Sequence, residues 1–277
     1  MILDEIDTTV REINIKLLNS GEKRSILWLI GDNICSHAMC THCSLSHRTF
    51  REALYDLSRN INSYKKFEAD LLKCDFTKTP VLSLYLMGSF YNETEINKNL
   101  RRKILKRLGK EKNIETLIVE SRPEFIDKDK IAETEEILAG KKVEIGTGLD
   151  HLNEIYRNKY LNKNIKLEDY ERCTEIIVPS TIKQITYIGA GCPYLDEEQS
   201  IESAVETSIY AINRGSHIIS IEPLIIQKGT IQEKLYREDK FQPLSQKSIV
   251  KITEAVSKYL NFEYEIRTGG IVQAPAE

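Results

Sequence analysis

No stretch of the 277 residues approaches the ~18 consecutive apolar residues that a membrane span needs. The amino-terminal segment MILDEIDTTVREINIKLLN is charged throughout, where an export leader would place an apolar block. A membrane or secreted role is therefore not expected, and a cytoplasmic location is. An excess of charge of one sign is also missing: 39 Lys and Arg stand against 42 Asp and Glu, a net charge of -3. The whole molecule makes no electrostatic claim on nucleic acid, so any such binding has to come from a local patch. Six cysteines in 277 residues are too sparse for a disulfide scaffold. No internal repeat, low-complexity run or long Gly/Pro/Ser linker is present, which argues for a single domain with terminal extensions.

What is present is alternation. Six short apolar runs, at residues 25–30, 81–87, 116–119, 142–145, 184–188 and 217–221, are separated by longer amphipathic stretches. Continuous apolar runs are typical of parallel strands covered on both faces, and the stretches between them suit crossover helices. Helices are predicted over residues 49–60, 93–108, 130–138, 167–177 and 197–213. Six β/α units fall short of the eight that close a full barrel. The fold class expected is α/β, a partial (β/α)6 TIM-like barrel, although a doubly wound sheet fits the same pattern. An N-terminal helix is predicted over residues 2–18, and a helix over 245–260 with an edge strand at 262–267 as a C-terminal capping extension. The expected divisions are 1–24, 25–242 and 243–277.

The chemistry concentrates at Cys35-Ser-His-Ala-Met-Cys40-Thr-His-Cys43, spaced C-x4-C-x2-C, directly after the first predicted strand. In parallel α/β folds the loops at strand C-termini carry the chemistry. Three thiolates on a [4Fe–4S] cube leave one iron without a protein ligand, open to a small molecule. Alternatively, His37, His42 or His47 completes a Cys3His zinc site, giving a zinc-stabilised regulatory or RNA-binding protein without catalysis. The scattered Cys74, Cys173 and Cys192 read as small buried hydrophobes, with Cys192 the one to examine as a substrate-side thiol.

The loop's position and the aromatic His42 before the last cysteine resemble the cluster loop of radical S-adenosylmethionine (SAM) enzymes. Gly88-Ser89-Phe90, Glu120-Ser121-Arg122-Pro123, the segment from Glu144 to Asp150, and Glu222-Pro223 with Gln227-Lys228-Gly229-Thr230 follow in the order found in that superfamily. Together they are similar to its archaeosine-biosynthesis subgroup and to the subgroup of the Elongator catalytic subunit and the methylthiotransferases. The resemblance implies an oxygen-sensitive enzyme with a [4Fe–4S] cluster on Cys35, Cys40 and Cys43 that cleaves SAM reductively. It also implies SAM-binding roles: Gly88 and Ser89 at the methionyl amine, Glu120 at the ribose or amine, Lys163 at the carboxylate, Gly189 and Gly191 at the adenine. Arg122, Glu144 and Pro223 lie within the matching segments.

The partners implied are SAM, a reductant such as flavodoxin or ferredoxin, and an organic substrate that is a small metabolite, a peptide or a modified tRNA base. Residues 98–112 carry eight basic residues and one acidic on a predicted helix. Such a run is usually a solvated face, and it is also the best place for tRNA phosphates to contact this chain.

Overall fold

The computed structural model describes residues 11–13, 24–260 and 264–269. Eight strands make one sheet in chain order, β1 to β8. The six apolar runs become β2 (Arg24–Leu29), β3 (Val81–Leu86), β4 (Thr116–Glu120), β5 (Lys142–Asp150), β6 (Lys183–Ala190) and β7 (Ile218–Pro223). The capping strand is β8 (Glu265–Thr268), parallel to β7. In-register parallel pairs such as Leu82↔Leu117 and Ile188↔Ile221 bury branched side chains, as expected of strands covered on both faces.

The helix expected over residues 2–18 is corrected at Arg11–Ile13, which form β1, antiparallel to β2 with Glu12 opposite Ser25. Thr8, Thr9, Val10, Ile13 and Ile15 are β-branched, and χ1 crowding makes such residues poorer helix formers and better strand formers. The remainder of that prediction lies outside the described residues.

The chain divides into two compact units. The first takes the described residues through Ser36, with 48–146 and 179–183. It contains β1 to β4, the first half of β5, and helices α1 (Arg48–Asn60), α2 (Ser63–Leu71), α3 (Lys98–Gly109) and α4 (Lys128–Ile137). Asn62, Asn97 and Asp127 each cap a helix by accepting a backbone N–H three residues on. The helix expected from residue 93 starts only after Asn97, whose side chain accepts the Leu100 N–H at 3.0 Å. Residues 92–96 make a turn instead, and that turn matters below.

The second unit takes 37–47, 147–178 and the described residues from 184 onward. It holds the rest of β5, β6 to β8, and helices α5 (Leu167–Ile177), α6 (Glu197–Asn213), α7 (Ile231–Arg237) and α8 (Gln246–Ser257). Asp196 and Gln199 form a reciprocal capping box at the start of α6. The core is Leu149, Ile188, Ile219 and Ile221 from the strands, packed with Ala204, Ala211, Ile249, Ile252 and Val256 from α6 and α8. Ile252 is fully buried. Ile252→Ala removes three carbons from close packing and is expected to cost about 2–5 kcal/mol in urea denaturation. A loss below about 1 kcal/mol would mean the helix is not seated as described.

Candidate functional site

In the first unit the segment after β2 is held backbone to backbone. Cys35 N–H donates to the Met87 carbonyl at 2.7 Å, and Asn33 N–H to the Glu95 carbonyl at 3.0 Å. The side chain of Glu95 is fully buried. Its Oε1 accepts from Ser36 N–H at 2.8 Å, Ser36 Oγ–H at 2.7 Å and Asn92 Nδ2 at 2.7 Å, and its Oε2 accepts from Ser89 N–H at 2.5 Å. Farther along, Phe90 N–H donates to the Glu120 carbonyl at 2.9 Å, and Arg122 N–H donates to Ser89 Oγ at 3.2 Å. Cys35, Gly88, Ser89, Glu120 and Arg122 thus stand at or just past the C-terminal ends of β2, β3 and β4. Arg122 also pairs with Glu124 at 2.5 Å. Glu144 is different: it sits inside β5, opposite Ile118, and is buried.

In the second unit the rest of the cysteine loop is strapped from two sides. Thr41 N–H donates to the Leu161 carbonyl at 3.0 Å and Thr41 Oγ–H to the Tyr160 carbonyl at 2.7 Å. His37 Nε2 lies 2.6 Å from the Asn162 carbonyl oxygen, and Asn162 Nδ2 donates to the Met39 carbonyl at 2.8 Å. From the other side, Ile231 N–H donates to the Thr41 carbonyl at 3.1 Å, and Ser44 N–H donates to Gln227 Oε1 at 3.0 Å. Gly229 has φ +78°, and a Cβ there would lie 2.3 Å from the His47 ring, so both backbone and packing require glycine.

The same segment carries the unit's buried ion pair. Lys163 Nζ lies 2.8 Å from Asp150 Oδ2, and the two side chains are 16% and 8% exposed. Burial pushes the Asp150 carboxyl up, but Lys163, with His42 and a hydrogen bond from Lys163, outweighs it and holds the group below its usual range. Asp150, Asn162 and Asn164 all adopt left-handed backbone conformations, φ 59°, 50° and 50°. Strain of this kind gathers where surrounding structure over-determines a site. A Cβ on Gly148 would lie 2.9 Å from Asp150 Oδ2 and 3.2 Å from Lys163 Nζ, so that glycine makes room for the pair. Gly189 lies inside β6, one residue before its end, and a Cβ there would make ordinary contacts; Gly191, just past the strand, has a backbone demand, φ +95°. Pro223 closes β7 opposite Ala190.

Two polar groups beside the loop have no hydrogen-bond partner among the described residues: His42 Nδ1, and both amide atoms of the fully buried Gln232. They flank one bridge, since His42 follows Thr41 and Gln232 follows Ile231 across the Ile231–Thr41 hydrogen bond. Burial, with Lys163 nearby, pushes the His42 imidazole down to about 4 against the pull of Asp150. Buried polar atoms are ordinarily satisfied, so these fit a position completed by a polar bound group. The donor set suits soft metal chemistry: three half-buried thiols, with no acidic residue between Ile34 and Arg48. Among the described residues no three His, Cys, Asp or Glu side chains lie close enough to hold a metal ion as they stand.

Sequence reasoning missed Glu95 and Gln232, and it quoted Asp150 and Gln227 within the matching segments without giving either a role. Asp150 had one usable signal, its place after a Gly-Thr-Gly run at a strand end. The thiol of Cys192 is fully buried and pushed up to about 12, chiefly by burial, which makes it a core group and not a nucleophile. On α3, Arg101 is buried against Glu93 and Glu133, Arg102 pairs with Glu133, Arg107 with Glu111, and Lys103 lies over the Tyr64 ring. Four of the helix's six cations are thus committed inside the unit. No described helix is long and apolar enough to cross a membrane.

Fold and loop together define a class: seven parallel strands with interleaved helices, the partial TIM-like barrel of radical SAM enzymes. The resemblance read from the sequence is borne out. Among curated proteins the chain is similar to archaeosine synthase subunit beta of Thermococcus kodakarensis, 30% identical over 174 residues, covering 62% of this chain and 53% of that one. It is also similar to an uncharacterised protein of Methanocaldococcus jannaschii, 30% identical over 225 residues, covering 81% of this chain and 59% of the other. The chain therefore spans little more than half the length of these relatives. Of solved structures, SuiB of Streptococcus suis bound to S-adenosylmethionine matches with TM-score 0.58 at 15% identity, over 88% of this chain and 50% of that chain. No family model matches the chain.

Proposed function

We propose that this chain is a radical SAM enzyme that carries a [4Fe–4S] cluster on Cys35, Cys40 and Cys43 and cleaves SAM reductively to start radical chemistry on an organic substrate. The observation that carries the reading is a C-x4-C-x2-C loop directly following the first parallel strand of this fold. The cluster would supply an electron to a sulfonium bound at its open iron. Everything else is done by the chain's own groups. Lys163, pinned by Asp150, presents a fixed ammonium suited to the SAM carboxylate. Gly191 keeps a side chain away from the approach of an adenine, Gly189 leaves the neighbouring stretch slim, and Pro223 ends the adjacent strand. Glu120 offers acceptors to the ribose or amine, with Gly88, Ser89 and Arg122 beside it and Glu144 beneath.

The similarity to archaeosine synthase subunit beta favours a modified tRNA base as substrate and a second subunit as partner. Exposed Lys98 and Lys106 on α3, with Lys110 just after it, are then the phosphate contacts, and a flavodoxin or ferredoxin the electron donor. The test is anaerobic incubation of the iron-loaded protein with dithionite and SAM. Release of 5′-deoxyadenosine or another SAM fragment is expected; a protein with an intact cluster that leaves SAM uncut would sink the proposal.

A further inference from the structure

Glu95 has no part in the motifs read from the sequence, yet its carboxylate accepts four hydrogen bonds. It is 0% exposed and lies in the turn between β3 and α3. The four groups aimed at its two oxygens are all donors: Ser36 N–H, Ser36 Oγ–H, Asn92 Nδ2 and Ser89 N–H. A carboxylate is the acidic or amide side chain that only accepts; a glutamine would turn an N–H toward one of these donors. The two oxygens serve different loops. Oε1 holds the residue following Cys35, and Oε2 holds the turn after β3. A third link is main chain: Asn33 N–H to the Glu95 carbonyl at 3.0 Å, with Asn33 Nδ2 on the Thr94 carbonyl at 2.9 Å.

Two glycines are explained by this one residue. A Cβ on Gly88 would lie 2.1 Å from Glu95 Oε2, and a Cβ on Gly31 would lie 2.3 Å from the Glu95 carbonyl oxygen. The space those residues leave is filled by Glu95. Cys35 is enclosed between these ties, with its own N–H on the Met87 carbonyl and its neighbour Ser36 doubly bound to Oε1.

We infer that Glu95 is a positioning residue that fixes the Cys35 limb of the cluster loop, so that its acceptor-only carboxylate sets how completely the cluster seats. The inference rests on the reading that Cys35 is a cluster ligand. Metal ligands depend on the groups that orient them, and loss of such a group commonly weakens metal retention by 10–100-fold.

The test uses Glu95→Gln in the full chain, with Ile252→Ala as a destabilised control far along the sequence from the loop. Hydrogen exchange without iron reads the clamp itself: the Ser36 and Ser89 amides should exchange at least tenfold faster in Glu95→Gln than in wild type. After anaerobic iron and sulfide loading, Glu95→Gln should retain less than half the wild-type iron and show an altered electron paramagnetic signal, while Ile252→Ala loads normally. Unchanged protection, or wild-type iron and signal in Glu95→Gln, overturns the inference. So does equal iron loss in Ile252→Ala, which would make the effect one of stability alone. If wild type takes up no iron, the reading of Cys35 fails instead, and the positioning role fails with it even where exchange shows the clamp intact.

Discussion

Single replacement of Cys35, Cys40 or Cys43 by Ser is expected to reduce SAM cleavage to background, a loss of more than about a hundredfold, since even residues that merely orient ligands are worth 10–100-fold. Iron after loading should fall with it. A serine hydroxyl is too weakly acidic to replace a thiolate on iron, whereas it replaces a packing thiol with little disturbance. Cys74→Ser supplies the contrast, because Cys74 lies outside the loop with its thiol donating to the Asp70 carbonyl at 3.7 Å; it should keep wild-type iron and cleavage. The measurement is iron per chain with product yield on the four variants in parallel. Retention of both in any one of the three loop variants would remove that cysteine from the ligand set.

The second large effect lies at Lys163. Lys163→Met leaves Asp150 buried opposite a thioether, and stranding one member of a buried ion pair costs about 3–5 kcal/mol. Urea denaturation of the iron-free chain at pH 7 should show it. The pH dependence then reverses in sign. In wild type the Asp150 carboxyl sits below its ordinary range. It therefore contributes stability that is present above the unfolded value near ~3.9 and is lost as pH falls through the folded one. In Lys163→Met burial acts without its counterweight, the folded value rises above the unfolded one, and acidification from neutral pH relieves the penalty. The gap between variant and wild type should narrow as pH drops toward ~4. A gap that is small at pH 7, or that widens on acidification, contradicts the pairing of Lys163 with Asp150 as the structure has it.

Much of this was legible beforehand because local signals agreed with one another. Helix α6 runs from Glu197 to Asn213 as read, with an Asp cap before it and Arg214-Gly215 after it, Gly215 at φ +96°. Helix α5 was likewise found to the residue. The strands were found because both-face burial gives uninterrupted apolar runs. β5 was cut short, since Gly146 and Gly148 read as its end; the strand continues to Asp150, with Gly148 spared a side chain to admit the ion pair. The turn of residues 155–160 has π-helical spacing, which matches neither of the periods a pattern search uses. Helices α2 and α7 are nine and seven residues long, too short for periodicity to stand out.

The site divides in the same way. The cysteines were visible because thiols at close spacing are rare in such a chain, and the glycines because strand ends are where they matter. Glu95 looked like an ordinary acid near a helix start, and only the fold turns it inward onto Ser36 and Ser89. Gln232 carries no mark in the local sequence, yet it is fully buried. Glu95 gains its meaning from contacts far apart in sequence, 59 residues between it and Ser36, which no local pattern encodes.

The most direct measurement of the central claim is elemental analysis, with inorganic sulfide, of protein purified and handled without oxygen. The account predicts about four irons and four sulfides per chain in a brown solution. One zinc per chain, no sulfide and no colour would contradict it, and would return the loop to a structural site completed by a histidine.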